Sequence, residues 1–132
     1  MRIGALAAAT GTTARTLRFY EQSGLLEEPA RTPGGYRDYP PQAVARVDFV
    51  RTAQAAGLSL AEIHGILTIR DSGRPPCAHV TALLEKHLAD VDRRLAELHA
   101  TQATLRKLAR TAAATDPATC AEGDICRILT GT

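Results

Sequence analysis

The longest regular pattern of apolar and polar positions runs from residue 76 to 112. Leu84, Leu88, Val91, Leu95, Leu98 and Leu105 recur largely in alternating steps of four and three, with polar residues between them. That spacing predicts one long helix carrying a 3.5-residue seam, with Leu88 and Leu95 at heptad a positions and Leu84, Val91, Leu98 and Leu105 at d. Gln102 falls at an a position, where a lone polar residue fixes register. Pro75 and Pro76 suit the entry, and the run contains no Gly or Pro after them. A narrow seam of this length calls for a partner helix; the competing reading is the core helix of a monomeric bundle.

Upstream the patterns are shorter. Residues 3–9 suit a helix with Ile3 and Leu6 on one face and Gly11 as its stop. Thr12 or Thr13 can cap a second helix, Ala14 to Ser23, ended by Gly24. Two short helices joined by a Gly-containing turn form a helix-turn-helix, or alternatively an ordinary helical hairpin with solvated arginines. In the second helix Arg15 and Arg18 share a face, with Thr13 at its start, and Leu17 points to the core. Such a helix fits a major groove. Pro33, Gly34 and Gly35 then specify a tight turn, with Tyr36 to Tyr39 as the return strand of a small hairpin. An aromatic and basic tip, Tyr36 and Arg37, beside a helix-turn-helix makes a wing suited to the DNA backbone; the plainer reading is a surface loop.

A third helix spans 41–56 with Val44, Val47 and Val50 inward, and a fourth runs from Leu60 to Arg70 behind a capping box of Ser59 and Glu62, burying Ile63, Ile66 and Leu67. Residues 71–76 form a hinge into the long helix. Beyond it, Asp116-Pro117 is a break, Cys120 to Cys126 a short loop, and Asp124 a cap for a terminal turn, Ile125 to Leu129. The expected fold is all-α with a small β-wing: a winged helix-turn-helix over 1–73, a long antiparallel coiled-coil dimerisation helix over 74–112, and a loop with a short helical turn over 113–132.

Charge adds little by amount and more by placement. The net charge is +2. Residues 1–75 hold nine Arg, no Lys and seven acids, while 76–132 hold seven basic and seven acidic residues. The excess is therefore Arg in the first part, where planar guanidinium groups suit phosphates and base edges. No apolar run is long enough for a membrane span, and no export signal is evident, so a cytoplasmic setting is expected.

Three cysteines are an odd number and a poor disulfide framework; in a reducing compartment thiols serve metal or redox chemistry. Cys77 opens the long helix, and Cys120 and Cys126 lie beyond its end. At ~1.5 Å per residue the helix is on the order of 50 Å long. The eight steps from 112 to 120 reach at most roughly 28 Å. Cys77 and Cys120 of one continuous chain therefore do not meet, but an antiparallel pair of helices brings each Cys77 to the other chain's loop. A single three-thiol site is then shared between subunits, twice per symmetric dimer. The plainest reading of the thiols is three small buried hydrophobes.

In order along the chain, IGALAAATGTTARTLRFYEQSGLL, the wing RTPGGYRDYP, GLSLAEI and the long helix resemble the mercury-resistance-regulator (MerR) family of bacterial transcription factors over nearly the whole sequence. The resemblance implies a homodimer joined by an antiparallel coiled coil, double-stranded operator DNA as ligand, and bacterial RNA polymerase as partner at the promoter. By motif match it assigns Thr13, Arg15, Arg18 and Tyr20 on the recognition helix, and Tyr36 and Arg37 on the wing, to DNA contacts. It implies no enzymatic activity, and no CxxC, nucleophile–base pair or cofactor loop argues otherwise.

Metal-sensing members of that family place a Cys at the start of the dimerisation helix when the ion is divalent, a pattern that Cys77 matches, with Cys120 and Cys126 as the paired loop cysteines. The resemblance thus implies a divalent zinc, cadmium, lead or mercury ion as effector. The loop departs from the family in having only five residues between its cysteines. Three thiolates suit soft or borderline ions, while zinc calls for a fourth ligand, for which His79, Glu122, Asp124 or water are candidates. The implied action is repression of a promoter with widely spaced elements, and activation when the metal-bound dimer distorts the DNA. The alternative is a thiol-redox regulator with the same DNA-binding half: the family's iron–sulfur member ends its cluster motif with a Cys pair of this spacing, although its two preceding cysteines are absent here.

Overall fold

The computed structural model describes residues 1–120, 123 and 125–130, arranged as two compact units, Met1–His87 and Leu88–Thr132. The first unit holds α1 (Ile3–Thr10), α2 (Ala14–Gln22), a two-stranded hairpin of β1 (Ala30–Arg31) and β2 (Arg37–Asp38), α3 (Gln42–Ala55), α4 (Leu60–Asp71) and the beginning of α5 (Cys77–Ala114). Its architecture is the expected one, mostly helical with a small wing.

Local chemistry sets each boundary. Gly11 closes α1 at φ 66°, a left-handed conformation that costs a side-chain-bearing residue about 1–2 kcal/mol. Thr13 caps α2 by accepting the Thr16 N–H at 3.2 Å. At α4 the capping box is complete: Ser59 Oγ accepts the Glu62 N–H at 3.1 Å, and Glu62 Oε1 accepts the Ser59 N–H at 2.9 Å. The wing is antiparallel, with Ala30 opposite Asp38 and Arg31 opposite Arg37. Its turn is closed by the Thr32 N–H donating to the Tyr36 carbonyl at 2.8 Å, and Arg31 Nη1 donates to the Gly35 carbonyl at 2.9 Å.

Leu6, Leu17, Leu25, Tyr39, Val47, Val50, Ile63 and Ile66 form the centre of the core, drawn from α1, α2, the wing, α3 and α4. Val47 and Val50 point inward as their spacing predicts, while Val44 is only partly covered. Arg46 joins three pieces at once. Its Nε donates to the Leu25 carbonyl at 2.7 Å, and its two terminal nitrogens grip both oxygens of Asp71 at 2.8 and 3.0 Å.

The start of α5 belongs to this unit because Val80 and Leu83 pack on the core. The seam residues lie on other positions of the same helix. Leu84, Leu88, Val91, Leu95, Leu98 and Leu105 are between 48% and 65% exposed in the single chain, an uncovered apolar stripe. In the second unit, past Ala114, Asp116 caps a 3-10 turn, Pro117–Thr119, which the sequence pattern showed only as a break. Arg127 Nη1 closes the loop by donating to the Thr119 carbonyl at 2.7 Å, and a last turn, α6, runs over Arg127–Thr130. The expected terminal helix thus begins two residues late, and Ile125 stands fully exposed before it. The expected Asp124 cap lies outside the described residues. Among the described residues, no helix is long and apolar enough to cross a membrane.

Candidate nucleic-acid interface and thiol site

Helix α2 divides cleanly into two faces. Leu17 and Tyr20, three residues apart, are buried, and Arg15, Arg18 and Phe19 are exposed. Thr13, at its N-terminus, is exposed and shares a 3.0 Å hydrogen bond with the Thr16 hydroxyl. Among the described residues, Arg15 and Arg18 form no ion pair or hydrogen bond within the chain, so both guanidinium groups are available to an external acceptor.

One residue of the expected interface, Tyr20, lies on the buried face of α2. Tyr20 is 3% exposed, and its hydroxyl donates to Gln54 Oε1 on α3 at 2.8 Å. Burial raises its phenol above the ordinary tyrosine value, against a smaller opposing effect of Arg51. Tyr20 therefore anchors α2 to α3; it is a core residue, and the exposed aromatic of the pair is its neighbour Phe19.

On the wing, Tyr36 is 55% exposed and Arg2 stacks its guanidinium over the ring, 4.3 Å from the centroid. Arg37 is held from behind, its Nε donating to Glu21 Oε2 at 3.2 Å. The other Glu21 oxygen accepts the hydroxyl of Tyr39, a ring 1% exposed. Burial, and next the Glu21 carboxylate, push the Tyr39 phenol far above its usual range. The wing and the exposed face of α2 are thereby tied together through Glu21. The sequence pattern places Tyr39 only on the return strand of the wing and gives Glu21 and Arg2 no role. The available signal was Glu21 standing three residues after Arg18 on α2, opposite in charge to the wing's Arg37.

The thiols are all free. Cys77 and Cys120 are exposed and Cys126 is partly buried. Among the described residues, no three His, Cys, Asp or Glu groups of one chain are gathered as a metal site. His79 lies over α4, its Nε2 3.8 Å from where a side chain on Gly65 would begin. Glu122 and Asp124, the other candidate ligands, lie outside the described residues.

An exposed, arginine-bearing second helix of a helix-turn-helix, clamped to a basic wing, defines a winged helix-turn-helix DNA-binding protein. Comparison with known proteins gives the family. Residues 1–68 match the description "MerR HTH family regulatory protein" and residues 44–108 match "MerR, DNA binding". The chain is 37% identical over 98 residues to a protein of Haemophilus influenzae named HTH-type transcriptional regulator ZntR homolog, covering 74% of this chain and 73% of that one. It is 39% identical over 108 residues to the mercuric resistance operon regulatory protein of Pseudomonas fluorescens, covering 82% and 74%. The solved structure of the transcription regulator PbrR691 from Ralstonia metallidurans, in complex with lead(II), aligns over 99% of this chain and 98% of that one, with a TM-score of 0.75 and 36% identity. The chain belongs to the MerR family of transcriptional regulators, and it is not an enzyme.

Proposed function

We propose that this MerR-family regulator acts as a cytoplasmic homodimer that controls a metal-resistance or efflux promoter in response to a soft divalent ion. The observation that carries the DNA-binding half is the exposed face of α2, with Thr13, Arg15 and Arg18, fastened to the wing that presents Tyr36 and Arg37. Arg15 and Arg18 supply base-edge or phosphate contacts, and Tyr36 and Arg37 supply backbone contacts. Two such faces related by a two-fold axis call for an inverted repeat. The uncovered seam from Leu84 to Leu105 supports antiparallel pairing of α5 between subunits.

Three free thiols support the effector reading. Cys120 and Cys126 of one subunit and Cys77 of the partner subunit form the proposed donor set; three thiolates fit cadmium, lead or mercury, and zinc with a fourth ligand. Continuity of α5 from Cys77 to Ala114 is the structural condition for sharing that site between subunits. The names of the relatives, which include regulators of mercuric resistance and a structure with lead(II), support the same class of effector. The effector's bonds need only favour one state of the DNA complex over another by a few kcal/mol to shift the balance between a repressing and an activating form, which RNA polymerase then reads. A thiol-redox signal acting on the same three cysteines is the alternative.

Selection of duplexes by the purified dimer from a randomised DNA library tests the DNA-binding half. Recovery of an inverted repeat is expected; recovery of no preferred duplex contradicts it.

A further inference from the structure

We propose that Glu21 is a positioning residue of the DNA interface, buttressing Arg37 for a phosphate and fixing the distance between the recognition helix and the wing. The inference rests on the reading of α2 and the wing as the DNA-binding face.

A carboxylate on a helix that approaches DNA is an electrostatic liability, since it repels the phosphates that dominate affinity. Glu21 is nevertheless on α2, three residues beyond Arg18. Its side chain is 7% exposed, and both of its oxygens are occupied. One accepts the Arg37 Nε–H at 3.2 Å and the other accepts the Tyr39 hydroxyl. One donor opens β2 and the other lies just past its end, so the carboxylate ties both positions to α2.

The consequence falls on Arg37. A guanidinium is planar and offers donors on more than one edge. Glu21 takes the Nε edge. Among the described residues, neither terminal nitrogen of Arg37 has a hydrogen-bond partner. The side chain is thus fixed at its inner edge and left with an open fork, the form that pairs with a phosphate. Tyr39 completes the arrangement: its ring is in the core, and its N–H donates to the Met1 carbonyl at 2.7 Å, so the base of the wing does not drift.

Simple electrostatics and the buttress predict opposite results for Glu21→Gln. Removing a negative charge near DNA strengthens binding to every duplex if charge alone matters. If Glu21 positions Arg37, the operator complex weakens. The experiment uses the full-length dimer, the inverted repeat selected by the wild-type protein, and poly(dI–dC) as sequence-neutral DNA. Binding is measured across a salt series, with circular dichroism to verify the fold. Glu21→Gln is expected to lose about tenfold in affinity for the selected repeat. Its log–log salt slope is expected to become shallower by roughly 2, one phosphate per subunit at about 0.9 each. Arg37→Ala added to Glu21→Gln should then cost less than Arg37→Ala alone. Should Glu21→Gln fail to fold, Arg37→Lys serves instead: it keeps the charge, loses the buttressed fork, and is expected to show the same tenfold loss. Equal or tighter binding to the selected repeat with an unchanged slope overturns the proposal. A wild-type protein that selects no duplex overturns the DNA-face reading, and the buttress with it.

Discussion

Both carboxylate oxygens of Glu62, in the first turn of α4, meet the Nε2 of His87 on α5, at 2.8 and 3.1 Å. The same carboxylate accepts the Ser59 N–H, so one residue caps a helix and binds the next element. These contacts, the Ser59 backbone first and His87 after it, lower the Glu62 pKa from 4.5 to about 2. A lowered carboxylate pKa contributes stability that is present above the unfolded-state value and is lost as pH falls through the folded-state value. The wild-type thermal midpoint is therefore expected to fall as pH drops from about 4.5 toward 2, and Glu62→Gln, already without the charge, to fall less steeply in that window. Parallel pH profiles for the two proteins would contradict the assignment.

Tyr20 separates a core role from a DNA-contact role. Tyr20→Phe removes only the hydroxyl that donates to Gln54. Loss of that bond is expected to cost about 1 kcal/mol of stability, read by denaturant titration. Affinity for the selected repeat should stay within about threefold, which is less than the tenfold that a lost contact of about 1.4 kcal/mol produces. A large loss of affinity with unchanged stability would place the hydroxyl on the DNA instead.

Arg18 is expected to behave in the opposite way. Because it is exposed and unpaired within the described residues, Arg18→Ala should leave the thermal midpoint almost unmoved. Operator binding should weaken by about 1–3 kcal/mol, with sequence preference relaxed at a single position if the contact is to a base edge. Uniform weakening across sequences, with a shallower salt slope, would reassign it to a phosphate.

The seam on α5 makes a prediction about assembly. Leu95 lies mid-seam and is 49% exposed in the single chain. Full burial of a Leu contributes about 1.5–3 kcal/mol, and a two-fold dimer counts the residue twice. Because about half of each Leu95 is already covered in the single chain, the burial lost from both copies is about 1.5–3 kcal/mol, and Leu95→Asp is expected to raise the dimer dissociation constant by roughly tenfold to a hundredfold by sedimentation equilibrium. The helical signature of the first unit should persist. A variant that stays dimeric would move the interface away from this stripe.

What was legible in the sequence was local or periodic. Ser59 and Glu62 sit three residues apart, and their capping box is legible because both ends of the interaction lie within one turn. The long helix was read from its heptads, which need no knowledge of the rest of the chain. The clamp on the wing was not legible, because Glu21 and Arg37 are 16 residues apart and only the folded chain brings them together. The motif match that assigns Tyr20 to the DNA carries a position without its burial. The spacing from Leu17, a core residue three positions earlier, puts Tyr20 on the inner face of α2. The thiol loop was legible as chemistry only, since the type and number of donors are written in the sequence while their meeting depends on a second chain.

Metal titration of the reduced dimer puts the shared thiol site to a direct test. Zinc, cadmium, lead and mercury are added in turn, with thiolate-to-metal absorption and in vitro transcription followed together. Two divalent ions per dimer are expected, with transcription rising with occupancy, and both are lost in Cys77→Ser while that variant still binds the selected repeat. Absence of stoichiometric binding by any of these ions, with transcription switched instead by peroxide, would contradict the shared site and assign the three thiols to a redox signal.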